Sequence, residues 1–592
     1  MADFRKWLFA FAVVALVLAT GTSAFAQTTP FVCNANAPVP PQVRSEGITE
    51  LVGDLILTCT GGTSTLIHQP IPLYNITVSL NTNITSRLFG SSPVLSEALL
   101  MVDEPQPGQQ LGCQATGGSH CDFNSPAGLG TGLGTAGVNS EYVGQNNVFQ
   151  AIPANTSANS ALSNASVQWL GVPIDAPGTG GQRVIRITNI RANASALGVS
   201  NSFTPSSITE FISVNGAQAL NINQQNVTVG FVVPGLTSSI TPEVDNQCQD
   251  PNGGFAIKFA EGFASAWKVV DTNTLNGPGG TFLSQNIPGG TYSTESGFYA
   301  LGGIPNITAT VGLADFGTRL LTRLTGVQNN VTLKVPGSVL TSAGAEFVYV
   351  STDANGDSTP DTAVPTPGGT VTLTVTSGNA VFAYEAVTAA VNTIESLSIP
   401  VTVSYDNTLG SNGPALGTDF AQASYGPLSN VTVASVTAHI PRFIDDSAKG
   451  KGLTINPCTC NLLFPFVTNT AGFDTGIALA NTTLDPFGTA AQTGPVVLNY
   501  YGTSAPAAPI TSQTIPAGAE LIFTLSSGGN YGVPATPGFS GYIIAQAQFQ
   551  YCHAFAFISD VGAQKLAEGY LAIQLDEPGL NRTAQNGENE GH

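Results

Sequence analysis

The sequence predicts an all-β protein built from tandem immunoglobulin-like β-sandwiches. Short runs rich in Val, Ile, Thr and Phe alternate with turns rich in Gly, Pro, Asn and Ser, as in VTVGFVV at 227–233 and TVTLTVT at 370–376. Period-two alternation over runs of this length is typical of half-buried strands in antiparallel sheets. Amphipathic helical patterns are short at best, as in AEGFASAWK at 260–268.

A weak repeat sets the predicted domain boundaries. NVTV at Asn226, NVTL at Asn330 and NVTV at Asn430 recur at a spacing of about 100 residues, the size of one immunoglobulin-type sandwich. We interpret each copy as a late strand that closes one unit, although Asn followed by a β-branched residue and Thr can also simply begin strands, as in YNITV at 74–78. The predicted organisation is a β region with a long Gly-rich loop at 27–236, sandwich units at 237–336 and 337–445, a C-terminal sandwich at 446–576 and a disordered tail at 577–592.

The N-terminus predicts export. Arg5 and Lys6 precede the apolar run WLFAFAVVALVLA, and AFA at 24–26 supplies a small-x-small cleavage site. This combination is typical of a signal peptide, which we place at residues 1–26. The apolar run is shorter than the ~20 residues that a membrane span needs. We therefore expect a secreted protein, extracellular or periplasmic, without a membrane span.

Composition narrows the range of partners. Only 9% of the residues are charged and the net charge is −20. An acidic surface without a basic stripe disfavours nucleic acid and anionic lipid as partners. The hydrophobic fraction of 42% is too high for a disordered chain. Other extracellular or cell-surface components are the partners that this composition favours.

Cysteine usage predicts a disulfide framework. The eight cysteines are Cys33, Cys59, Cys113, Cys121, Cys248, Cys458, Cys460 and Cys552. An even number in an exported protein favours disulfides. We expect the local pairs Cys33–Cys59 and Cys113–Cys121, while the other four cysteines allow three connectivities that the sequence leaves open.

Cys458 and Cys460 lie two residues apart, so on a strand their side chains share one face and should not bond each other. With Cys552 and the adjacent His553 they could instead converge on a metal ion, because thiolate and imidazole groups are zinc ligands. Zinc motifs usually space the cysteines more widely, and exported thiols oxidise. Disulfides are therefore the favoured interpretation.

Two motifs resemble catalytic or cofactor signatures. Asp474-Thr475-Gly476 resembles the active-site turn of aspartic proteases, but that chemistry needs a second aspartate, and the chain has no second DTG or DSG. GLGTAG at 132–137 matches a dinucleotide-binding pattern without the flanking strand and helix that the pattern requires. We interpret the first as a turn leading into a strand and the second as a Gly-rich loop, and we predict that the chain is not an enzyme.

The sequence DANGDSTPD at 353–361 is the most specific site motif. Its oxygen-bearing side chains at loop positions 1, 3, 5 and 9 are Asp353, Asn355, Asp357 and Asp361. Such a set suits Ca²⁺, which takes six to eight oxygen ligands. The motif resembles the calcium loops of thrombospondin type 3 repeats, with Ser358 in place of a glycine. A polar turn between two strands is the equally weighted alternative, and no other cofactor is expected.

The C-terminal region resembles a known but uncharacterised group. CTCNLLFPFVTNTAGFDTGIALANTT at 458–483 and the later segment PGFSGYIIAQAQFQYCHAFAF are similar to a β domain of secreted soil-bacterial proteins. EGFASAWK and STESGFY resemble the middle of the same proteins. The resemblance implies an exported bacterial protein and carries no established activity or site residue.

These observations favour a non-catalytic secreted protein with a structural, adhesive or matrix role. The alternative is an extracellular polysaccharide-binding module or a glycoside hydrolase. Sugar-binding platforms favour exposed Trp, and the predicted mature chain has only Trp169 and Trp267. Glycoside hydrolases need a pair of carboxylates flanking the scissile bond, so the placement of these two residue types separates the two hypotheses.

Overall fold

Strands account for almost all the regular structure of the computed structural model. The structure describes residues 30–66, 71–91, 93–103, 112–113, 147–154, 164–199, 205–216, 218–247, 250–270, 293–298, 307–308, 310–350, 369–407, 413–456, 458–487, 489, 491–560 and 565–575. Within these ranges the one helical element is the 3₁₀ turn Ala194–Ala196. None of the helical structure described there has the length and apolarity to cross a membrane. The predicted all-β fold class and its tandem β-sandwiches are confirmed, and their immunoglobulin-like topology stays a prediction.

The strands of the first sandwich are β1 Val32–Asn36, β2 Gln42–Arg44, β3 Glu50–Leu51, β4 Leu55–Gly61, β5 Leu73–Leu80, β6 Leu88–Phe89, β7 Leu95–Ser96, β8 Leu99–Val102, β9 Gly112–Cys113, β10 Val148–Gln150, β11 Ile152–Pro153, β12 Ser166–Pro173, β13 Gly178–Thr188, β14 Arg191–Ala192, β15 Ser206–Gly216, β16 Asn221–Asn223 and β17 Asn226–Val233. A seven-stranded sheet in the order β16-β1-β4-β13-β8-β10-β9 packs against a six-stranded sheet in the order β11-β12-β5-β15-β17-β2. Alternate residues of each long strand enter one shared apolar core.

One predicted disulfide lies in this sandwich. Cys33 of β1 and Cys59 of β4 face each other in the strand register and are bonded. The predicted pair Cys33–Cys59 is therefore confirmed. Cys121 lies outside the described residues, and the pair Cys113–Cys121 stays a prediction.

The strands of the second sandwich are β18 Leu236–Thr241, β19 Glu243–Asn246, β20 Gly254–Glu261, β21 Arg319–Thr325, β22 Thr332–Pro336, β23 Ser338–Leu340, β24 Glu346–Val350, β25 Thr370–Thr372, β26 Asn379–Ala386, β27 Ser396–Ser404, β28 Gly417–Gly426 and β29 Lys449–Asn456. A five-stranded sheet in the order β18-β20-β27-β22-β25 packs against a seven-stranded sheet in the order β19-β29-β28-β21-β26-β24-β23.

This arrangement differs from the two units predicted at 237–336 and 337–445, because strands from both ranges alternate within the same two sheets. β20 pairs with β27 over its length, and β21 lies between β26 and β28. β29, assigned to the C-terminal domain by the sequence, pairs with β28 and β19.

The weak repeat explains the difference. Its copy at Asn226 begins β17, the last strand of the first sandwich. The copy at Asn330 begins in a turn and runs into β22, an inner strand of the second sandwich, and the copy at Asn430 lies in a loop. The three copies are therefore not equivalent strands, since local sequence similarity carries no information about long-range strand pairing.

The strands of the third sandwich are β30 Cys460–Thr468, β31 Asp474–Asn481, β32 Val496–Thr503, β33 Ile510–Thr511, β34 Glu520–Thr524, β35 Gly528–Gly529, β36 Ser540–Ala547, β37 Cys552–Ser559, β38 Ala567–Leu571 and β39 Ile573–Leu575. They form two five-stranded sheets, in the orders β33-β32-β36-β30-β39 and β35-β34-β31-β37-β38. The two sheets enclose one apolar core of their own.

A buried ionic cluster joins the first two sandwiches. Arg44 of β2 contacts Glu50 and Glu295, with N–O distances of 2.7 Å to each, and all three side chains are buried. The Arg44 guanidinium also lies over the ring of Phe443, 4.8 Å from its centroid. Burial alone would raise the pKa of Glu295, but Arg44 more than offsets this and holds that pKa below its ordinary value. Paired in this way, the charges are retained in the interior and tie the two sandwiches together.

Candidate functional site

The third sandwich concentrates the exposed aromatic side chains of the described residues. Seven of the nine exposed aromatics lie in it: Phe466, Phe487, Tyr501, Tyr542, Tyr551, Phe555 and Phe557. Charge is sparse in the same region, because residues 458–575 contain five acidic residues, one lysine and no arginine. Scattered apolar residues are normal on a protein surface, but clustered ones mark interaction sites.

A groove runs along β31 on the outer face of one sheet. Successive residues of β31 alternate between the core and the surface, with Ile477 and Leu479 in the core. Beyond Asp474 at the start of the strand, the outward positions are Gly476, Ala478 and Ala480. A Cβ built on Gly476 would have a single heavy atom within 4 Å, Thr524 Cγ2 at 3.9 Å, so the space above it is open.

Large apolar side chains line the groove on both sides. Ala478 pairs with Ile522 of β34 on one side and with Phe555 of β37 on the other, and Phe557 pairs with Gly476. All three large side chains are exposed. The Phe555 ring leans away from β31 toward β38, with Cζ 2.6 Å from the position that a Cβ of Gly569 would occupy. We call Gly476, Ala478, Ile522, Phe555 and Phe557 the β31 groove.

A ridge stands on the outer face of the opposite sheet. Tyr501 of β32 and Tyr542 of β36 are directly paired, and their rings lie 4.8 Å apart at an interplanar angle of 15°. Rings this close and nearly parallel cannot lie side by side in one plane, so they stand face to face and project from the sheet. They are 44% and 40% exposed. We call Tyr501 and Tyr542 the tyrosine ridge.

Phe466 extends the apolar surface beside the ridge. The pairing of β30 with β36 shifts between Phe464 and Val467, which places Pro465 and Phe466 opposite Tyr542. Such a bulge locally bends a strand and redirects its side chains. The Phe466 side chain is exposed and also borders a pocket of about 520 Å³ whose one ionisable lining residue is Glu568.

The DTG sequence lies at one end of the groove and its aspartate has a structural environment. Asp474 accepts hydrogen bonds from Asn469 Nδ2 at 2.9 Å, from the Thr475 amide at 2.9 Å and from Ser526 Oγ at 2.5 Å. The carboxylate therefore holds the turn before β31 against the loop after β34. The turn lies just before this sequence, at Ala471-Gly472, and Asp474-Thr475-Gly476 themselves begin β31.

The cysteine cluster is a disulfide and not a metal centre. Cys460 and Cys552 are bonded across the two sheets, which settles one of the pairings that the sequence left open. Cys458 is also disulfide-bonded, and, as predicted, it does not bond Cys460. The metal hypothesis on these cysteines and His553 is wrong, because all three sulfurs that would bind the ion are held in disulfides. Within the described ranges no other cluster of three His, Cys, Asp or Glu could hold an ion.

Several other sequence candidates lie outside the described residues. They are the calcium-loop residues Asp353, Asn355, Asp357 and Asp361, the GLGTAG loop at 132–137, the signal peptide at 1–26 and Cys248. The calcium hypothesis therefore stays a prediction.

The structure places both tryptophans of the predicted mature chain in cores. Trp169 belongs to the core of the first sandwich and Trp267 to that of the second. Neither offers an exposed ring on which a sugar could stack, which disfavours a tryptophan-based polysaccharide platform.

Glu261 and Glu395 form a buried pair of neighbouring carboxylates in the second sandwich. Glu261 accepts hydrogen bonds from the backbone amides of Trp267 and Glu395, at 2.7 and 2.8 Å. Burial raises the pKa of Glu261 to about 7, and those amide hydrogen bonds oppose the shift. Both carboxylates are buried and used to fix loops. The pair is therefore not arranged to flank a glycosidic bond, which requires access for a substrate.

The groove and the ridge were missed by sequence reasoning, although a signal existed. CHAFAFIS alternates Phe with Ala, and DTGIALAN alternates Gly or Ala with larger residues. Both patterns predict strands, but they leave open which set faces inward. In the structure the small set of β37 faces the core and the phenylalanines face outward, the opposite of the usual preference.

No family model matches this chain, and no curated protein matches it. Among solved structures, BspA_C_WT covers 71% of this chain and 99% of its own, at 6% identity and a TM-score of 0.23. The full-length major pilin SpaD from Corynebacterium diphtheriae covers 81% and 86%, at 8% identity and a TM-score of 0.17. A BSP domain of a biofilm-associated protein covers 91% and 96%, at 7% identity and a TM-score of 0.14. Similarity at this level does not bear on the function of this chain.

Proposed function

We propose that this chain is a non-catalytic secreted protein with a structural, adhesive or matrix role, held in place through the outer faces of its third sandwich. The observation that carries the proposal is that one charge-poor sandwich presents both the β31 groove and the tyrosine ridge. Exposing this much apolar surface is unfavourable in water unless a partner covers it.

The rest of the described molecule fits a structural role. The Arg44 cluster joins the first two sandwiches. One disulfide lies within the first sandwich and another within the third. Disulfides form and persist in oxidising compartments such as the cell exterior. The candidate carboxylates Asp474, Glu261 and Glu395 are used to fix turns and loops, which supports a non-catalytic protein over a glycoside hydrolase.

The test is retention on extracellular material. Purified mature protein is added to the washed, insoluble extracellular fraction of the producing cells, and the bound fraction is measured after sedimentation. We expect wild type to be retained and the double variant Tyr501→Ser/Tyr542→Ser to lose most of this retention. Phe487→Ser is the matched control, because Phe487 is 89% exposed in the turn after β31 and belongs to neither face.

Equal retention of the tyrosine variant and wild type would contradict the proposed role of the third sandwich. Turnover of a polysaccharide that Glu261→Gln abolishes, in a variant that stays folded, would contradict the non-catalytic assignment.

A further inference from the structure

We propose that the third sandwich joins copies of this chain head to tail, with the tyrosine ridge of one copy seated in the β31 groove of the next. The inference rests on the proposed structural role and names its partner, a second copy of the chain. Three features of the described residues carry it: the placement of the two surfaces, their shapes and their lack of charge.

The two surfaces lie on opposite sides of one sandwich. The ridge belongs to the sheet β33-β32-β36-β30-β39 and the groove to the sheet β35-β34-β31-β37-β38. Their side chains point away from the shared core in opposite directions. A contact between two different surfaces of the same molecule is heterologous, and it generates rings or open chains of copies instead of closed two-fold dimers. With the surfaces on opposite sides, an open chain is the expected product.

One surface projects and the other is recessed. The ridge is two rings thick, since the rings stand on neighbouring strands with centroids 4.8 Å apart. The groove spans two strand spacings, from β34 to β37, or roughly 9.5 Å between backbones. Ile522 and Phe555 stand on those two strands and narrow the groove, and the lean of the Phe555 ring toward β38 widens it again on that side. Its floor on β31 has no side chain larger than a methyl group at the central positions, Gly476 and Ala478. The phenolic hydroxyls can remain at the solvated rim while the rings are covered, as amphipathic aromatic residues commonly do at interfaces.

Charge favours this contact over other contacts between copies. The whole chain carries a net charge of −20, so copies repel each other over most of their surfaces. Neither the ridge nor the groove contains an ionisable carboxylate or a cation at neutral pH. The nearest acidic residues on the groove strands, Asp474 and Glu520, stand at opposite ends of the sheet face. Two copies can therefore meet here without bringing acidic groups into direct contact.

The contact should be weak. Each surface is a part of one face of a five-stranded sheet, which is smaller than the ~800 Å² per partner of a standard stable interface. We therefore expect concentration-dependent association, best measured by sedimentation velocity over a hundredfold range of protein concentration. Wild type should show a weight-average sedimentation coefficient that rises with concentration.

Two complementary variants isolate the geometry. Tyr501→Ser/Tyr542→Ser removes the ridge and keeps the groove. Gly476→Val/Ala478→Val fills the groove and keeps the ridge. Gly476 lies in a strand with open space above it and without a positive φ, so the larger β-branched residue should keep the fold, which melting by circular dichroism verifies. Phe487→Ser is again the control and should associate like wild type.

Each variant alone should remain monomeric at all concentrations, whereas their equimolar mixture should form dimers and nothing larger. Self-association of either double variant on its own would overturn the head-to-tail geometry. A wild-type protein that stays monomeric throughout would overturn the inference altogether. If that monomer is still retained on extracellular material through the ridge, the proposed function stands and the self-assembly inference alone fails.

Discussion

Glu210 makes the stability of the first sandwich depend on pH. It lies on β15 and points into the interior, where its side chain is 1% exposed and neither carboxylate oxygen has a hydrogen-bond partner. Burial raises the pKa of Glu210 to about 8 from an ordinary value of 4.5, and repulsion by Asp54 adds to the shift. The folded protein therefore holds this carboxyl protonated at neutral pH, since an isolated buried carboxylate is strongly unfavourable.

The sign and size of the effect follow from proton linkage. Below pH 4.5 both states are protonated at this site, and the contribution of Glu210 to stability is fully present. Between pH 4.5 and 8 the unfolded chain releases the proton while the folded state keeps it, so stability falls as pH rises. At 1.36 kcal/mol per pKa unit, the loss from pH 5 to pH 8 amounts to about 3.5 kcal/mol.

Two substitutions should remove this pH dependence. Glu210→Gln replaces the carboxyl with a neutral amide, and Glu210→Leu replaces it with an apolar group of similar size. Urea unfolding at pH 5 and pH 8 is followed by the fluorescence of Trp169 in a Trp267→Phe background, so that the signal comes from the first sandwich. We expect the difference between the two pH values to shrink by about 3 kcal/mol in both variants relative to the parent.

Glu520→Gln in the third sandwich serves as the control and should leave that difference unchanged. If both Glu210 variants retained the full pH dependence of the parent, the assignment of a protonated Glu210 would be refuted.

Three further predictions concern the disulfides, the ionic cluster and calcium. The variant Cys460→Ala/Cys552→Ala should destabilise the third sandwich by about 4.6 kcal/mol, and the variant Cys33→Ala/Cys59→Ala should destabilise the first sandwich by about 3.5 kcal/mol. The first loss is larger because that disulfide spans 92 residues and the other spans 26, and the loop entropy that a disulfide removes from the unfolded chain grows with loop length. Urea unfolding measures both losses, and the reverse order would contradict the entropic account. Glu295→Gln should cost about 3–5 kcal/mol of unfolding free energy by leaving Arg44 buried and incompletely paired, whereas a loss below about 1 kcal/mol, the range of exposed pairs, would show that the cluster is solvated. We expect Ca²⁺ to bind with a Kd of ~10⁻⁴–10⁻³ M, and at ten times that concentration to stabilise the chain by about 1.4 kcal/mol and raise its melting temperature by a few degrees. The variant Asp353→Ala/Asp357→Ala should abolish the shift. Coincident melting curves in Ca²⁺ and in chelator would leave only a polar turn at that loop.

The sequence was informative wherever the deciding interaction is local. Period-two alternation predicted strands because the two sides of a strand face different surroundings, as in β27, where every second residue is buried. Cys33–Cys59 was predictable because the two cysteines lie in strands close along the chain, and these pair directly. Cys458 and Cys460 were expected not to bond each other if both lay on a strand; they do not bond each other, although Cys458 lies just before β30.

Long-range pairing was not predictable in the same way. β20 and β27 pair although more than a hundred residues separate them, and no short motif records which strands become neighbours. The outward phenylalanines of β37 were missed for a related reason. Alternation identifies two faces, but only the neighbouring sheet decides which face is covered.

The central claim, that the two outer faces of the third sandwich carry the contacts of this protein, is tested most directly by hydroxyl-radical footprinting. Purified chain is oxidised free and when bound to the insoluble extracellular material, and each residue is quantified by mass spectrometry. We predict that binding lowers oxidation several-fold at Tyr501, Tyr542, Phe555 and Phe557 and leaves Phe487 unchanged. Unchanged oxidation at those four aromatics in a fully bound sample, with protection elsewhere, would contradict the account.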